Sequence, residues 1–367
     1  MQWKNLPLDL MEKTTFSLRA LYQSCGYTQY RMGKFEEYDL YARNKDFLIS
    51  DHVITFTDTD GKLMAMKPDV TLSIVKNTPD TDTAHKLYYN ENVYRVTKGS
   101  RSFREIMQVG LECLGSIDDY CICEVLTLAA ESLRIISCDS VLNVSHLGLL
   151  TGFLDGIGIP KERKTEAMQY IGEKNLHQLT ALCREAGVEE ENTERLKRLA
   201  AISGAPEQVL PQLRALVCPV IGAETVDQLE RVLQPLAQGP LGQTVRLDLS
   251  SVDDIHYYNG IVCKGFVHGI PGSVLSGGQY DKLMKKMRRS NGAIGFAVYM
   301  DMLELLQEEE EAYDVDTVLL YDDTTSLTDI RAQVEALGGS VLVQRQLPAG
   351  IRCRRVLQLR NGEVEKA

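Results

Sequence analysis

Gln108, Gly110 and Glu112 put an amide, a bare backbone position and a carboxylate on alternate residues of Arg104–Leu114. Met107, Val109, Leu111 and Cys113 fill the places between, and this period of two is that of a strand with one apolar face. An amide and a carboxylate on either side of a glycine leave room for a small polar ligand to lie against backbone. Leu87–Arg95, rich in tyrosine and valine, reads as a preceding strand. Between the two, Thr97–Ser102 breaks the apolar pattern with Lys98, Gly99, Ser100 and Arg101. On pattern alone, a hairpin with one solvated face is the simpler reading.

Three further stretches carry polar chemistry. Lys67-Pro68-Asp69-Val70-Thr71 ends a strand at the proline and opens a helix. Its carboxylate and hydroxyl can receive an ammonium there, and both are also common capping residues. Tyr257-Tyr258-Asn259-Gly260 lies within the strand-rich Val245–Phe266, with Asn259-Gly260 as a turn signal and two tyrosines that fit cross-strand packing. In Ser276-Gly277-Gly278-Gln279-Tyr280-Asp281, adjacent glycines let backbone approach a ligand closely. His146, alone after the strand Val141–Val144, reads as structural.

The elements around these residues follow from periodicity. Leu6–Cys25 reads as an amphipathic helix stopped by Gly26. Val53–Thr57 and Lys62–Met66 form a hairpin about Asp60-Gly61. Ile117–Ser137 is helical, and from Thr151 to about Gln238 leucine, alanine, glutamate and arginine dominate, which indicates packed helices. In Gly292–Gln307, Phe296, Tyr299, Met300, Leu303 and Leu306 make a helical stripe. Glu308–Glu311 reads as a solvated linker, and Asp316–Arg360 as strand, helix, strand, strand.

The chain has 367 residues, 44% hydrophobic and 25% charged, with a formal net charge of −11. That composition is ordinary for a soluble globular protein and is long enough for two or three domains. The acidic balance argues against a broad nucleic-acid footprint. No apolar run approaches the roughly 20 residues a bilayer demands, so a cytoplasmic protein without a membrane partner is expected. The nine cysteines are scattered with no C-x-x-C pair, and no metal or cofactor is expected.

The hairpin resembles motif 2 of class II aminoacyl-tRNA synthetases in its histidyl form. An arginine, Arg95, ends the first strand; a basic loop follows; Arg104-Glu105 and Gln108-Val109-Gly110-Leu111-Glu112 return. Lys67–Thr71 is similar to that family's Arg-Pro-Glu-Gly-Thr, Tyr257–Gly260 to its second histidine signature, and Ser276–Asp281 to its Gly-Gly-Arg-Tyr-Asp. The resemblance implies an α+β fold: a class II antiparallel sheet flanked by helices over 1–150 and 240–312, a helical insertion at 151–239, and a small α/β module at 313–367. That module is shorter than the anticodon-binding domain it resembles. The resemblance also implies a histidine pocket. Asp69, Thr71 and Gln108 would address the ammonium, Glu112 and Tyr258 the two imidazole nitrogens, and Tyr280 the wall. Arg95 would pair with the carboxylate.

Three departures fall on residues that handle ATP in that family. Asp253 stands where an arginine opens the second signature, Met302 where motif 3 has its phosphate-holding arginine, and Thr97 where a glutamate receives adenine. A histidine pocket retained beside a dismantled ATP site is the profile of the regulatory subunits of ATP phosphoribosyltransferase. That resemblance implies no catalytic residue, a short-form catalytic transferase subunit as partner, pairing with a second copy through the first helix, feedback by histidine, and no tRNA. An active histidyl-tRNA synthetase and a free-standing histidine sensor are the alternatives.

Overall fold

The computed structural model describes residues 8–48, 52–96, 102–252, 257–306, 313–360 and 363–366. The first expected helix forms as α1 (Leu10–Ser24). Asp9 and Glu12 close a capping box at its start, each carboxylate accepting from the other's backbone N–H. Its inner face buries Leu18 and Tyr22, and Gly26 reverses the chain at φ 82°. Short pieces follow: β1 (Thr28–Gln29), β2 (Phe35–Glu37) and α2 (Tyr38–Arg43), which the sequence pattern did not announce. The expected hairpin is β3 (Thr55–Thr57) and β4 (Leu63–Met66), and β2 completes it as a three-stranded sheet. The helix after Pro68 is α3 (Thr71–Asn77).

The frame of the molecule is the pair β5 (His85–Val96) and β6 (Phe103–Gly115), which runs antiparallel from His85↔Leu114 to Val96↔Phe103. α4 (Asp119–Ile136) leads from it to β7 (Ser140–His146). The helical stretch follows as α5 (Leu147–Gly156), α6 (Lys164–Gly172), α7 (Leu176–Glu185) and α8 (Glu190–Ala201). The two-residue β8 (Ser203–Gly204) interrupts it before α9 (Pro206–Ile221) and α10 (Glu224–Gln238). The chain then returns to strands with β9 (Val245–Asp248), β10 (Ile261–Val267) and β11 (Leu275–Gln279), and finishes with α11 (Asp281–Lys286) and β12 (Gly292–Tyr299). The nine-stranded sheet has the order β1-β5-β6-β12-β11-β10-β7-β9-β8 and is antiparallel except at β1–β5 and β7–β9.

The alternation in β6 sorts the two faces of this sheet. Val109, Leu111 and Cys113 join α1, α4 and the later helices in one large apolar cluster. Within it the Tyr22 hydroxyl and Ser132 Oγ bond at 2.9 Å, so this fully buried phenol is satisfied. A second cluster, with Leu72, Ile74, Val93, Ile106 and Leu283, covers the other face through α3 and α11.

Two expectations need correction. Asn259-Gly260 does not close a hairpin between the strands around it, because β7 lies between β9 and β10. The turn instead seats on its neighbours, Asn259 Nδ2 donating to Asp281 Oδ2 at 3.0 Å. The stripe read as helical from Phe296 is strand through Tyr299, and only Met300–Leu306 coils, as a 3-10 turn. Ile294, Phe296, Val298 and Tyr299 favour the strand for the first half, where Gly292 and Gly295 disfavour a helix.

Residues 307–367 form a second compact unit. β13 (Val315–Leu320), α12 (Leu327–Leu337), β14 (Val341–Gln344) and β15 (Cys353–Arg360) match the expected order, and β16 (Glu363–Lys366) adds an antiparallel edge the pattern did not indicate.

Lys67 is 2% exposed and its ammonium pairs with Glu91 on β5, whose other oxygen accepts from Met32 N. It therefore braces β4 against β5 rather than facing a ligand. Removing one partner of a buried pair leaves the other charge uncompensated. Lys67→Met should cost about 3–5 kcal/mol in urea unfolding, and adding Glu91→Leu should recover much of the loss; full additivity of the two substitutions would contradict the assignment.

Candidate functional site

β5, β6 and β12 form the floor of one cavity of about 260 Å³, and the seven residues singled out above all line it: Asp69, Thr71, Arg95, Gln108, Glu112, Tyr258 and Tyr280. They come from separate segments, which the sheet order and α3 bring together. β6 supplies Gln108 and Glu112, 4% and 3% exposed. The polar face of this strand is thus buried, and the solvated-hairpin reading is excluded.

Glu112 is the centre of the arrangement. Thr71, the first residue of α3, donates its hydroxyl to Oε1 at 2.7 Å. Tyr280, just before α11, donates to Oε2 at 2.6 Å. Gly295, the register partner of Glu112 on β12, makes this position possible: a Cβ there would stand 1.8 Å from Glu112 Oε2. Burial pushes the Glu112 pKa up to about 8, against the two hydroxyls, with the Asp69 charge adding to the rise. Thr71 gives its one proton to Glu112 and keeps acceptor lone pairs on its oxygen.

Asp69 does both things its position allows. Its Oδ1 accepts from Leu72 N at 2.9 Å, the capping role, and its carboxyl also lines the cavity. Burial raises its pKa, against the Leu72 N–H and the Arg95 charge. Arg95 is 5% exposed, and its Nε has no hydrogen-bond partner among the described residues. Among the described lining residues Arg95 is the sole cation, sharing the cavity with Asp46, Asp69 and Glu112. A buried donor on a charged group is costly to leave unmatched, so the cavity favours an anionic group beside Arg95 and a cationic one beside Asp69.

Sequence reasoning missed several lining residues, Tyr89, Tyr257 and Tyr299 among them. Tyr89 corrects the expectation at Gly110. The bare backbone there is not left open for a ligand: Tyr89 is the register partner of Gly110, and its hydroxyl lies 2.6 Å from where a Cβ would be. The signal was available, since a large aromatic opposite a glycine across a strand pair folds over it. Tyr257 stacks edge-on with Tyr258 at 4.7 Å and lies 5.9 Å from Tyr280, so the two tyrosines of the signature act as wall rather than cross-strand filler. Met302 is half-buried against the main apolar cluster and does not line the cavity. Asp253, Thr97 and the loop residues Lys98–Arg101 lie outside the described residues. His146 is structural as expected: its Nδ1 accepts from Leu149 N at 2.9 Å at the start of α5, and burial pulls its pKa down to about 4.

The Glu112 pKa has a consequence for stability. A carboxyl that ionises near 8 in the folded chain and near 4.5 when free holds its proton in the native state between those values. Native protein then binds more protons than unfolded protein, so stability falls as pH rises through this window. Glu112→Gln should remove that slope and gain on the parent by roughly 3–5 kcal/mol between pH 5 and pH 8.5 in urea unfolding. Identical pH slopes for the two proteins would show that Glu112 ionises normally.

The histidyl-tRNA synthetase family model matches residues 8–303. Among curated relatives, the ATP phosphoribosyltransferase regulatory subunit of Oceanobacillus iheyensis is 23% identical over 305 residues, covering 82% of this chain and 75% of the relative. Among solved structures, an ATP phosphoribosyltransferase regulatory subunit/histidyl-tRNA synthetase from Bacillus halodurans superposes with a TM-score of 0.78 at 21% identity, over 95% of this chain and 93% of that one. A chain of the ATP phosphoribosyl transferase (HisG:HisZ) complex from Thermotoga maritima gives 0.62 at 18% identity, over 79% and 97%. These structural likenesses establish the class II synthetase-like fold with its large mixed sheet and separate small C-terminal sheet. With four-fifths of its length matched by that model, the chain belongs to the histidyl-tRNA synthetase family.

Proposed function

We propose that this chain is a non-catalytic regulatory subunit of ATP phosphoribosyltransferase that binds free histidine in the β6 cavity. The observation that carries the reading is the enclosure of Asp69, Arg95 and Glu112 around one small cavity, each matched to a different part of that amino acid. The ammonium is received by Asp69 and the Gln108 amide oxygen, with the Thr71 oxygen assisting, and the carboxylate by Arg95. The imidazole lies between Glu112 and Tyr258, with Tyr280 and Tyr257 as walls. A Glu112 that keeps its proton near neutral pH can donate to a bare ring nitrogen or accept from a protonated one. A ring without nitrogen leaves this buried acid unmatched, which is how the site discriminates.

Chemistry on ATP requires cations where pyrophosphate leaves. The motif 3 position holds Met302, and Asp253 stands in the second signature where the synthetases have arginine. Both favour a role without adenylation. The names of the curated relatives, and the presence of a structurally similar chain in the Thermotoga complex, support a separate catalytic transferase chain as partner. A second copy is the other partner, paired through α1, whose Phe16 is exposed. Histidine control then follows from linkage: if histidine favours an inhibited assembly, that assembly binds histidine more tightly.

Histidine at about 100 times its dissociation constant should stabilise the chain by roughly 2.7 kcal/mol, seen as a raised melting temperature that phenylalanine does not produce. Glu112→Ala should weaken histidine binding by about 1–3 kcal/mol, the cost of leaving a buried ring nitrogen unmatched. Equal shifts with phenylalanine would refute the role given to Glu112. For the partner, the measurement is turnover of a short-form transferase with and without this chain. The expected outcome is activation that histidine reverses, together with no histidine-dependent ATP–pyrophosphate exchange. Unchanged turnover and no co-elution would refute the regulatory assignment, and exchange above the no-enzyme control would favour a synthetase.

A further inference from the structure

The two hydroxyls on Glu112 sit at the starts of two short helices. Thr71 opens α3, seven residues long, and Tyr280 precedes α11, six residues long. Helices this short are not stable on their own, so their placement depends on tertiary ties. Their inner faces share one apolar cluster through Leu72, Val75, Leu283 and Met284. Apolar contact is not directional, however, and two hydroxyls aimed at two oxygens of one carboxyl need their helices fixed in rotation and height.

A directional tie exists at the far ends of both helices. α11 is followed by Met287 as its cap, and beyond it Arg288 N bonds Lys285 O at 3.0 Å and Arg289 N bonds Met284 O at 2.9 Å. Arg288 takes a left-handed conformation at φ 60°, uncommon outside glycine, and this turn brings the chain back toward α3. Arg289 Nη2 then donates to Val75 O at 2.7 Å and to Lys76 O at 2.9 Å. These are carbonyls of the last turn of α3, which have no partner within the helix and carry the negative end of its dipole. The next residues strengthen the strap. Ser290 N and Oγ donate to Asp80 Oδ2 at 3.0 and 3.1 Å, and Asn291 Nδ2 donates to Thr81 O at 2.8 Å.

We propose that Arg289 is a positioning residue for the cavity: by tying the last turn of α3 to the end of α11, it holds the Thr71 and Tyr280 hydroxyls on Glu112 at the same time. Arg289 touches neither Glu112 nor the cavity lining, and it acts through the two helices. Its consequence for affinity rests on the histidine reading, whereas its consequence for Glu112 does not.

The test reads Glu112 directly. In the full chain with glutamate side chains labelled with 13C at Cδ, the Glu112 signal is assigned by its loss in Glu112→Gln and titrated against pH. Groups that face Glu112 and must be held in view are Asp69 at the start of α3, Tyr89 on β5, Tyr280 beside α11 and Tyr257 on the preceding loop. Two variants separate position from charge. Arg289→Met removes both, while Arg289→Lys keeps the charge and loses the planar fork that spans two carbonyls. Looser hydroxyls stabilise the carboxylate less, so the midpoint should rise by roughly half a unit to one unit in both variants, the equivalent of weakening one hydrogen bond. A rise in Arg289→Met alone would make this a distant charge effect and overturn the proposal, as would no rise in either. Histidine affinity is measured on the same samples, where a loss of about three- to tenfold is expected, on the scale of coupling through intervening residues. A midpoint that rises in both variants, beside a parent chain that binds no histidine, would keep the clamp and reject the histidine reading.

Discussion

A carboxyl buried among tyrosines and answered by two hydroxyls makes demands on much of the first unit. Glu112 reaches its place only because Gly295 on the neighbouring strand has no side chain. It stays there because Thr71 and Tyr280, 209 residues apart in sequence, deliver hydroxyls to its two oxygens. Apolar surroundings raise its pKa, so the site holds a proton near neutral pH that an exposed glutamate would have lost. Such a group weakens the fold progressively as pH rises from about 4.5 to about 8, and local rules are broken in this way most often where a site is built.

The sheet reconciles this polar centre with a stable core by using its two faces differently. On one, Val109, Leu111 and Cys113 pack against α1 and α4 in the main cluster. On the other, the intervening residues of β6 meet α3, α11 and the cavity. A one-residue slip in the β5–β6 register would exchange the faces and destroy core and site together. The twelve-pair ladder and the Tyr89–Gly110 contact resist that slip. Lys67 and Glu91 tie the adjoining small sheet to the same frame from outside the cavity.

Much of this was legible in the sequence because it depends on short-range pattern. The alternation Gln108-Val109-Gly110-Leu111-Glu112 specifies both faces of β6, and Pro68-Asp69 marks the start of α3. The fold class and the seven lining residues came from motif wording, which sets several polar residues in order. What pattern could not supply was pairing between distant segments. Asn259-Gly260 looks like a hairpin turn, yet the partner of β10 is β7, about 115 residues earlier by the sheet register. Phe296, Tyr299, Met300, Leu303 and Leu306 fit a helical spacing across both elements, so periodicity could not place the change from strand to 3-10 turn at Met300. Tyr89, Tyr257 and Tyr299 read as strand-forming aromatics, and only the folded sheet brings them to one cavity. The donation of the Thr71 proton to Glu112 likewise depends on atomic distances.

The central claim is that the cavity around Glu112 is a histidine site. Calorimetric titration of L-histidine into the purified chain at pH 7, with Glu112→Gln and Arg95→Met run alongside, tests it most directly. The account predicts a saturable one-site isotherm for the parent, weakened in both variants, with no heat from L-phenylalanine. A flat titration of the folded parent chain, or binding unchanged by both substitutions, would contradict it.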